Sequence, residues 1–575
     1  MSNSNFTIIR GAEITSLRMV LIWLLNSSRT NNTNEKSICQ RWNESINKQI
    51  LIKYFKRCRK MLKNYEERVE ANRVIMDGLL WLNAIFGFHT INCQFNCDFY
   101  DKFMKFHQSV PKSIDFSRNR NPISHQIIIV GAGMAGIGAA LTLCQHGFKD
   151  IKILEAEEEP GGRLKTLELQ NGIIELGAQW IHGKENNCLY RIAEEHNLLS
   201  DITSEEGCGL YIRDDGFIFD TNLVKEVRLE IEKIMVECEK FVDEPRYPCS
   251  FGDFLEERFR YYLNCTKHCK EVATMKKELF DWHIRFLLVD NSCRSLKDIS
   301  AKEWGRYIDG TEYVNLKNGY KSLVNILFQM LPGQILCCKR PVANVNWSNN
   351  SNVIRVYCLN GEEFYCDHVI MTASLGVLKN IKNLFYPSLP YTLQESINSM
   401  GFYGIAKIFL IFDYKWWDAN GFQLIWKKST KLPEGKNWTR SITGFDVIYN
   451  HSNVLLGWVS GEGVLEMEKL TEREVRDDCV DVLQRFLKIS VPNPVKVIKS
   501  TWMSSPWVRG GYSHITPQCD KTKTGPTTLS EPVVVHGVPK IFFAGEACSP
   551  THFSTTHGAF ESGQAQAQIL VDFLK

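Results

Sequence analysis

The chain has no long apolar run. A bilayer-spanning helix needs about 20 predominantly apolar residues, and the purest run here, Met19–Leu25, has seven. The stretch Val74–Phe88 is broken by Asp77 and Asn83 and reads as a buried helix. No transmembrane segment is expected. Charge of one sign is also missing: 68 Lys and Arg stand against 65 Asp and Glu, a net charge of +3. That balance hides a split. Residues 1–124 hold 19 basic and 10 acidic side chains, or +9, which leaves −6 on the remaining 451. A mildly acidic body lacks the basic face that phosphate backbones require, so no nucleic acid partner is expected.

The 19 cysteines include no CxxC pair, which removes the usual zinc-ribbon and disulfide frameworks. Cys265-x-x-His268-Cys269 lacks a second ligand pair and reads as thiols on successive helical turns, so no metal is expected. Free thiols make the cytoplasm the default compartment. A secreted chain would need Met19–Leu25 as a signal peptide, with too long a charged lead and too short an apolar core. The ending Phe573-Leu574-Lys575 is not a Ser-Lys-Leu peroxisomal address. There is no internal repeat and no low-complexity tract, and 44% hydrophobic with 23% charged residues excludes a disordered chain.

Residues 1–124, rich in Asn, Lys and Arg, read as a mainly helical basic extension, with helical potential over Ile46–Phe86. Beyond the polar linker Pro111–Ser124 the pattern changes. Ile127–Val130 is a buried-type strand that runs into Gly131-Ala132-Gly133-Met134-Ala135-Gly136. In such a turn Gly131 permits the tight bend, Gly133 lets a pyrophosphate approach the backbone, and Gly136 lets helix and strand pack closely. The helix that follows aims its positive end at the phosphates. A second strand, Ile151–Leu154, ends at Glu155, 19 residues after Gly136, where a carboxylate accepts from ribose hydroxyls. Gly162 and Arg163 add a second glycine turn with a guanidinium in reach of pyrophosphate. Further strands are expected at Val342–Trp347, Val353–Cys358, His368–Thr372, Lys407–Phe412, Val454–Val459 and Lys540–Ala544. Helices are expected at Leu223–Phe241, Thr471–Leu487 and Gly558–Leu574, the second opened by a Thr471/Glu474 capping box.

Several blocks follow in order: Glu175-Leu176-Gly177-Ala178-Gln179-Trp180-Ile181-His182-Gly183, Asn318-Gly319-Tyr320, Pro341-Val342, Ser374–Lys379, Thr501-Trp502, Arg509–Ser513, Phe542–Glu546 and Ser554–Ala559. With the glycine turn, this set resembles the FAD-dependent amine oxidase family, and most closely the animal polyamine (spermine and acetylpolyamine) oxidases, over about residues 125–575. The resemblance implies an α/β fold in which a Rossmann-type FAD-binding domain (125–200, 311–385, 511–575) is interleaved with an α+β substrate domain (201–310, 386–510), behind the extension 1–124. It implies that FAD is held by Gly131, Gly133, Gly136, Glu155, Gly162, Arg163, Gly177, Ala178, Gln179, Trp180, Val342, Trp502, Gly545, Glu546, Thr555 and Thr556. No counterpart of the flavin-bonding cysteine of monoamine oxidases is evident near Gly545 or Thr555, so the FAD should be non-covalent.

Lys407, alternating with Phe409 and Ile411, reads from pattern alone as an edge lysine. The resemblance instead makes it the lysine that holds a water beside the flavin, catalytic together with His182. Asp290, with Ser292 as auxiliary, matches the acid that meets a substrate amine. Relatives with an aromatic cage have tyrosine where Thr555 stands, leaving Tyr512 to supply that wall. The implied reaction oxidises a polyamine with O2 to an aminoaldehyde, a shorter amine and hydrogen peroxide, in a monomer or homodimer. Two alternatives stay open. One is an amine oxidase like the histone lysine demethylases, although no heptad-rich tower insertion is present. The other is a flavin-binding pseudo-enzyme acting through its N-terminal arm.

Overall fold

A computed structural model describes residues 123–575 except 171, 266–268, 311, 348–352 and 449–450. The expectations for residues 1–122, and His268 of the cysteine cluster, lie outside the described residues. Cys265 and Cys269 are exposed.

The first described element is the strand Ile123–Val130, whose run of branched residues suits burial on both faces. It pairs in parallel with Glu363–Met371 on one side and Ile151–Leu154 on the other. Val538–Phe543 lies parallel on the far side of Glu363–Met371. These strands form the centre of a sheet with nine described strands, the Rossmann-type half of the molecule. Ile127, Ile129 and Ile153 face the helices Met134–Gln145 and Thr556–Leu574, while Ile128, Val130 and Leu154 face the opposite core. Glycine sets how closely the two helices approach: a Cβ on Gly563 would lie 1.9 Å from the Ala135 carbonyl, and one on Gly138 would lie 2.4 Å from that of Phe560.

The second sheet runs in the order Lys496–Lys499, Ala406–Ile411, Val454–Val459, Ile442–Val447, Gly421–Ile425, Leu210–Arg213. Its Ile408 and Leu410 face pack on Val475, Cys479, Leu483 and Phe486 of helix Glu472–Leu487. The helices Thr221–Glu239, Phe251–Cys265 and Lys270–Asp290 build a further core around Trp282 and Phe251.

Several elements fall where the pattern places them. Val454–Val459 matches to the residue, and Thr471 with Glu474 forms the reciprocal capping box. Others shift for local reasons. The helix expected from Leu223 starts at Thr221, because the Asp220 carboxylate accepts from Asn222 N and Leu223 N. The strand expected from His368 begins at Glu363, because Glu363–Cys366 also pairs antiparallel with Ile354–Tyr357. The closing helix starts at Thr556, capped by the Thr555 hydroxyl on Gly558 N. Lys407 lies on an interior strand flanked by Val454–Val459 and Lys496–Lys499, which corrects the edge reading.

Candidate active site

Between the two sheets lies a cavity of about 560 Å³. At one end the strand Ile123–Val130 delivers the glycine turn. Gly131 has φ of 104°, in the region glycine favours, and Glu155 reaches back to accept from Ala132 N at 2.7 Å and Glu157 N at 2.9 Å. A Cβ on Gly133 would find its nearest atom 4.0 Å away, and one on Gly545 would find nothing within 4 Å. Both glycines therefore border open cavity, which fits a bulky group laid against bare backbone. Arg163 donates from Nη1 to Glu546 at 2.9 Å and to the Gly511 carbonyl at 2.7 Å, joining distant parts of the chain beside that space. Glu546 is itself fixed by Ser513 and Ser554 N. The N-termini of Met134–Gln145 and Thr556–Leu574 both border the cavity, as an anionic ligand requires. These donors, glycines and the Glu155 carboxylate fit a dinucleotide such as FAD, and among the described residues no cysteine lines the cavity.

Lys407 stands at the junction of the sheets. Its side chain is buried, and Nζ donates to the carbonyls of Glu175 at 3.0 Å and Gly177 at 2.8 Å and to Gln179 Oε1 at 2.9 Å. It also lies 4.6 Å from the Trp458 ring centroid. Burial lowers its pKa to about 8, against the pull of Glu206 and Glu175. Burial raises the Glu175 carboxyl to about 7, with Tyr320 N, Lys407 and Thr166 opposing. Trp180 and Trp458 stack 6.3 Å apart and form one wall.

His182 ends the strand Trp180–His182, its ring 4.5 Å from that of Tyr313 and its Nδ1 3.4 Å from the Tyr307 hydroxyl. Burial lowers its pKa while Asp309 raises it. Asn187, which caps the helix Cys188–Glu195, also donates to the His182 carbonyl at 2.8 Å. Asp290, at the end of its helix, is exposed to the cavity, which encloses it. Loss of bulk water, then Asp309, raises its pKa to about 7.

The fold brings to this one cavity every site residue expected from sequence except two. Gly136 supports from behind: a Cβ there would lie 2.0 Å from the Gly131 carbonyl. Ser292 is buried, with its hydroxyl donated to the Tyr403 carbonyl at 2.9 Å, so it shapes the bend after Asp290 and does not line the cavity. The Tyr512 hydroxyl donates to the Val289 carbonyl at 2.6 Å, which sets the ring against the cavity. Thr555 is spent on its cap and on the His552 carbonyl. Glu206, Tyr307, Asp309 and Tyr313 also line the cavity. Glu206, Tyr307 and Asp309 sit on irregular segments and Tyr313 opens the three-residue strand Tyr313–Asn315, so none shows a periodicity, and only the density of Tyr and Asp over 307–313 hinted at the last three.

The family described as flavin containing amine oxidoreductase matches residues 134–571. The human peroxisomal N(1)-acetyl-spermine/spermidine oxidase is 28% identical over 490 residues, covering 78% of this chain and 95% of that protein. Probable polyamine oxidase 5 of Arabidopsis thaliana is 27% identical over 537 residues, covering 78% and 98%. Lysine-specific histone demethylase 1 homolog 1 of the same plant is 28% identical over 473 residues, but only 51% of its length is covered. A solved structure of a putrescine oxidase redesigned in its cofactor binding shares the fold, with a TM-score of 0.59 at 17% identity, covering 78% of this chain and 99% of that one. With a dinucleotide cradle at one end of the cavity and a buried lysine between the sheets, the chain belongs to the flavin containing amine oxidoreductases and is an FAD-dependent amine oxidase.

Proposed function

We propose that the chain oxidises polyamines such as spermine, spermidine or their N1-acetyl forms, giving an aminoaldehyde, a shorter amine and hydrogen peroxide. The observation that carries this reading is the acidic and aromatic lining beyond Lys407: Glu206, Asp290 and Asp309 among Trp180, Tyr307 and Tyr313. Carboxylates spaced between aromatic walls suit ammonium groups joined by methylene stems. The glycine turn, Glu155, Arg163 and the two helix N-termini would hold FAD without a covalent link, and the flavin would supply the acceptor for a hydride from the carbon next to nitrogen and the route for its electrons to O2.

The protein's own part is orientation and proton placement. Asp290, with a pKa near neutrality, pairs with the amine and takes its proton, because an ammonium has no lone pair to stabilise the forming iminium. His182, steadied by Tyr307 and through its carbonyl by Asn187, borders the same space. Lys407 spends its three protons on two backbone carbonyls and one side chain. With all three donors used, a water beside the lysine would have to displace the Gln179 side chain, the one acceptor of the three that is not backbone. The described cysteines are free thiols, which suits a cytoplasmic enzyme; among the described residues no helix is long and apolar enough to cross a membrane.

The test is to purify the chain, record its flavin spectrum, and follow bleaching and peroxide with spermine, N1-acetylspermine, putrescine and a methylated lysine peptide. Bleaching by a polyamine and not by the peptide supports the proposal. Bleaching by the peptide alone favours a demethylase, and a flavin that no amine bleaches favours a pseudo-enzyme.

A further inference from the structure

The segment 204–208 crosses the cavity wall and is pinned along its length. Ser204 N donates to Asn315 Oδ1 at 2.6 Å, and the Ser204 carbonyl accepts from Trp180 Nε1 at 3.0 Å. Gly207 N donates to Asp446 Oδ1 at 3.1 Å, and the Cys208 carbonyl accepts from Gln423 Nε2 at 2.9 Å. Glu206, in the middle of this brace, borders the cavity. Its Oε1 is buried with no hydrogen-bond partner among the described residues. A carboxylate oxygen shut away from water without a donor is an expensive arrangement unless a cation comes to it.

Asp446 deepens the deficit. Lys407 is opposite Trp458 across one strand pair, and Asp446 is opposite Leu456 across the next. Trp458 and Leu456 are two residues apart, so Lys407, Trp458, Leu456 and Asp446 share one face of the sheet. Asp446 is buried beneath Gln423 and Gly207 N. Glu206 feels the charges of Asp446, Asp290 and Lys407. Of the charges that reach Glu206 only that of Lys407 is positive, and Glu175 draws on the same lysine. The missing positive charge is of the kind a polycation brings.

Resting on the polyamine reading, we propose that Glu206, backed by Asp446, is the subsite for a second ammonium of the substrate, and that it selects amines with free charged termini over those whose termini are acylated. An acylated terminus is a neutral amide. It carries less charge to the carboxylate pair and presents a carbonyl acceptor where a donor is needed. Sites built to bond a polar group discriminate strongly against analogues that fail to satisfy them. The Trp180–Trp458 wall beside the brace covers the methylene stem between the two ammonium groups.

The experiment uses the full FAD-loaded chain, with Glu206→Gln and Glu206→Asp as variants. It compares spermine with N1,N12-diacetylspermine, the latter read as a competitive inhibitor where it is not turned over. Glu206→Gln should raise KM for spermine about 30-fold, more than it lowers kcat, because a charge-assisted partner is lost. The KM or Ki of the diacetyl compound should move about threefold or less, and Glu206→Asp should restore part of the spermine preference. Flavin absorbance reports whether each variant is folded. If Glu206→Gln does not hold FAD, the spermine-to-diacetyl ratio of Glu206→Asp decides. Equal losses on both compounds, or an unmoved ratio in an active enzyme, overturn the subsite alone. A flavin-loaded wild type that oxidises neither compound overturns the polyamine reading and the subsite with it.

Discussion

Replacing Lys407 with Met separates folding from chemistry, and the structure sets the size of each effect. The charged ammonium is costly where it is: a pKa lowered from 10.5 to about 8 corresponds to roughly 3 kcal/mol at neutral pH, which Met recovers. Against this, three acceptors lose their donor, two of them backbone carbonyls, at about 1–2 kcal/mol each. The two effects largely offset, so Lys407→Met should be less stable by about 3 kcal/mol at most, a fall in Tm of a few degrees. The flavin cradle draws on Gly131, Glu155 and Arg163 rather than on this lysine, so the variant should stay yellow. Turnover should fall by about 10²–10⁴-fold, the range for losing a positioned proton-handling group. Thermal melting, flavin absorbance and stopped-flow traces of flavin reduction and reoxidation read these effects separately. Wild-type turnover in the variant would refute the role of Lys407. Loss of flavin or a collapse in Tm would refute the reasoning about its burial.

Three further outcomes are expected. Gly133→Ala should fold normally, since the added carbon meets no protein atom closer than 4.0 Å, yet purify with most of its flavin lost; a fully yellow variant would show that the cavity beside Gly133 is not the cofactor's. For Asp290, pKa is raised from 3.8 to about 7, so its ionisation withdraws stability as pH rises from about 4 to about 7 and should raise kcat/KM for spermine over the same rise. Asp290→Asn should flatten both trends in melting and steady-state pH series, and an unchanged profile would count against it. Asn187→Ala should cost about 1 kcal/mol through the lost helix cap and raise KM through a loosened His182, while a change in stability alone would show that the His182 contact is idle.

Much of the cofactor half is legible in the sequence because it depends on short-range rules. A strand, a turn needing glycine, a helix and an acid at a fixed distance lie within Ile127–Glu155, each explained by its neighbours. Capping residues such as Thr471 and Asn187 are equally local. Lys407 shows where pattern reading stops. Its strand alternates as an edge strand would, and only the pairing of Lys496–Lys499, almost a hundred residues on, makes it interior. Ser292 errs in the other direction: proximity to Asp290 suggested a shared task, but a backbone turn with φ of 42° sends the hydroxyl to Tyr403. Glu206 was invisible because Glu205-Glu206 looks like an ordinary solvated pair until Asp446, Gln423 and Trp180 pin the backbone on either side of it against the cavity.

The bond between Arg163 and Glu546 spans 383 positions of the chain, and Val538–Phe543 adds a strand beside Glu363–Met371 near the middle of the sheet. A ribosome therefore releases the glycine turn long before anything exists to close the pocket around it. Until the last 40 or so residues emerge, the nascent chain has neither its closing strand nor the helix that packs on Met134–Gln145. Such long-range closure makes for slow assembly. Flavin capture then becomes a late, all-or-none event, and a chain stopped short by a few dozen residues is a colourless protein rather than a weakened oxidase.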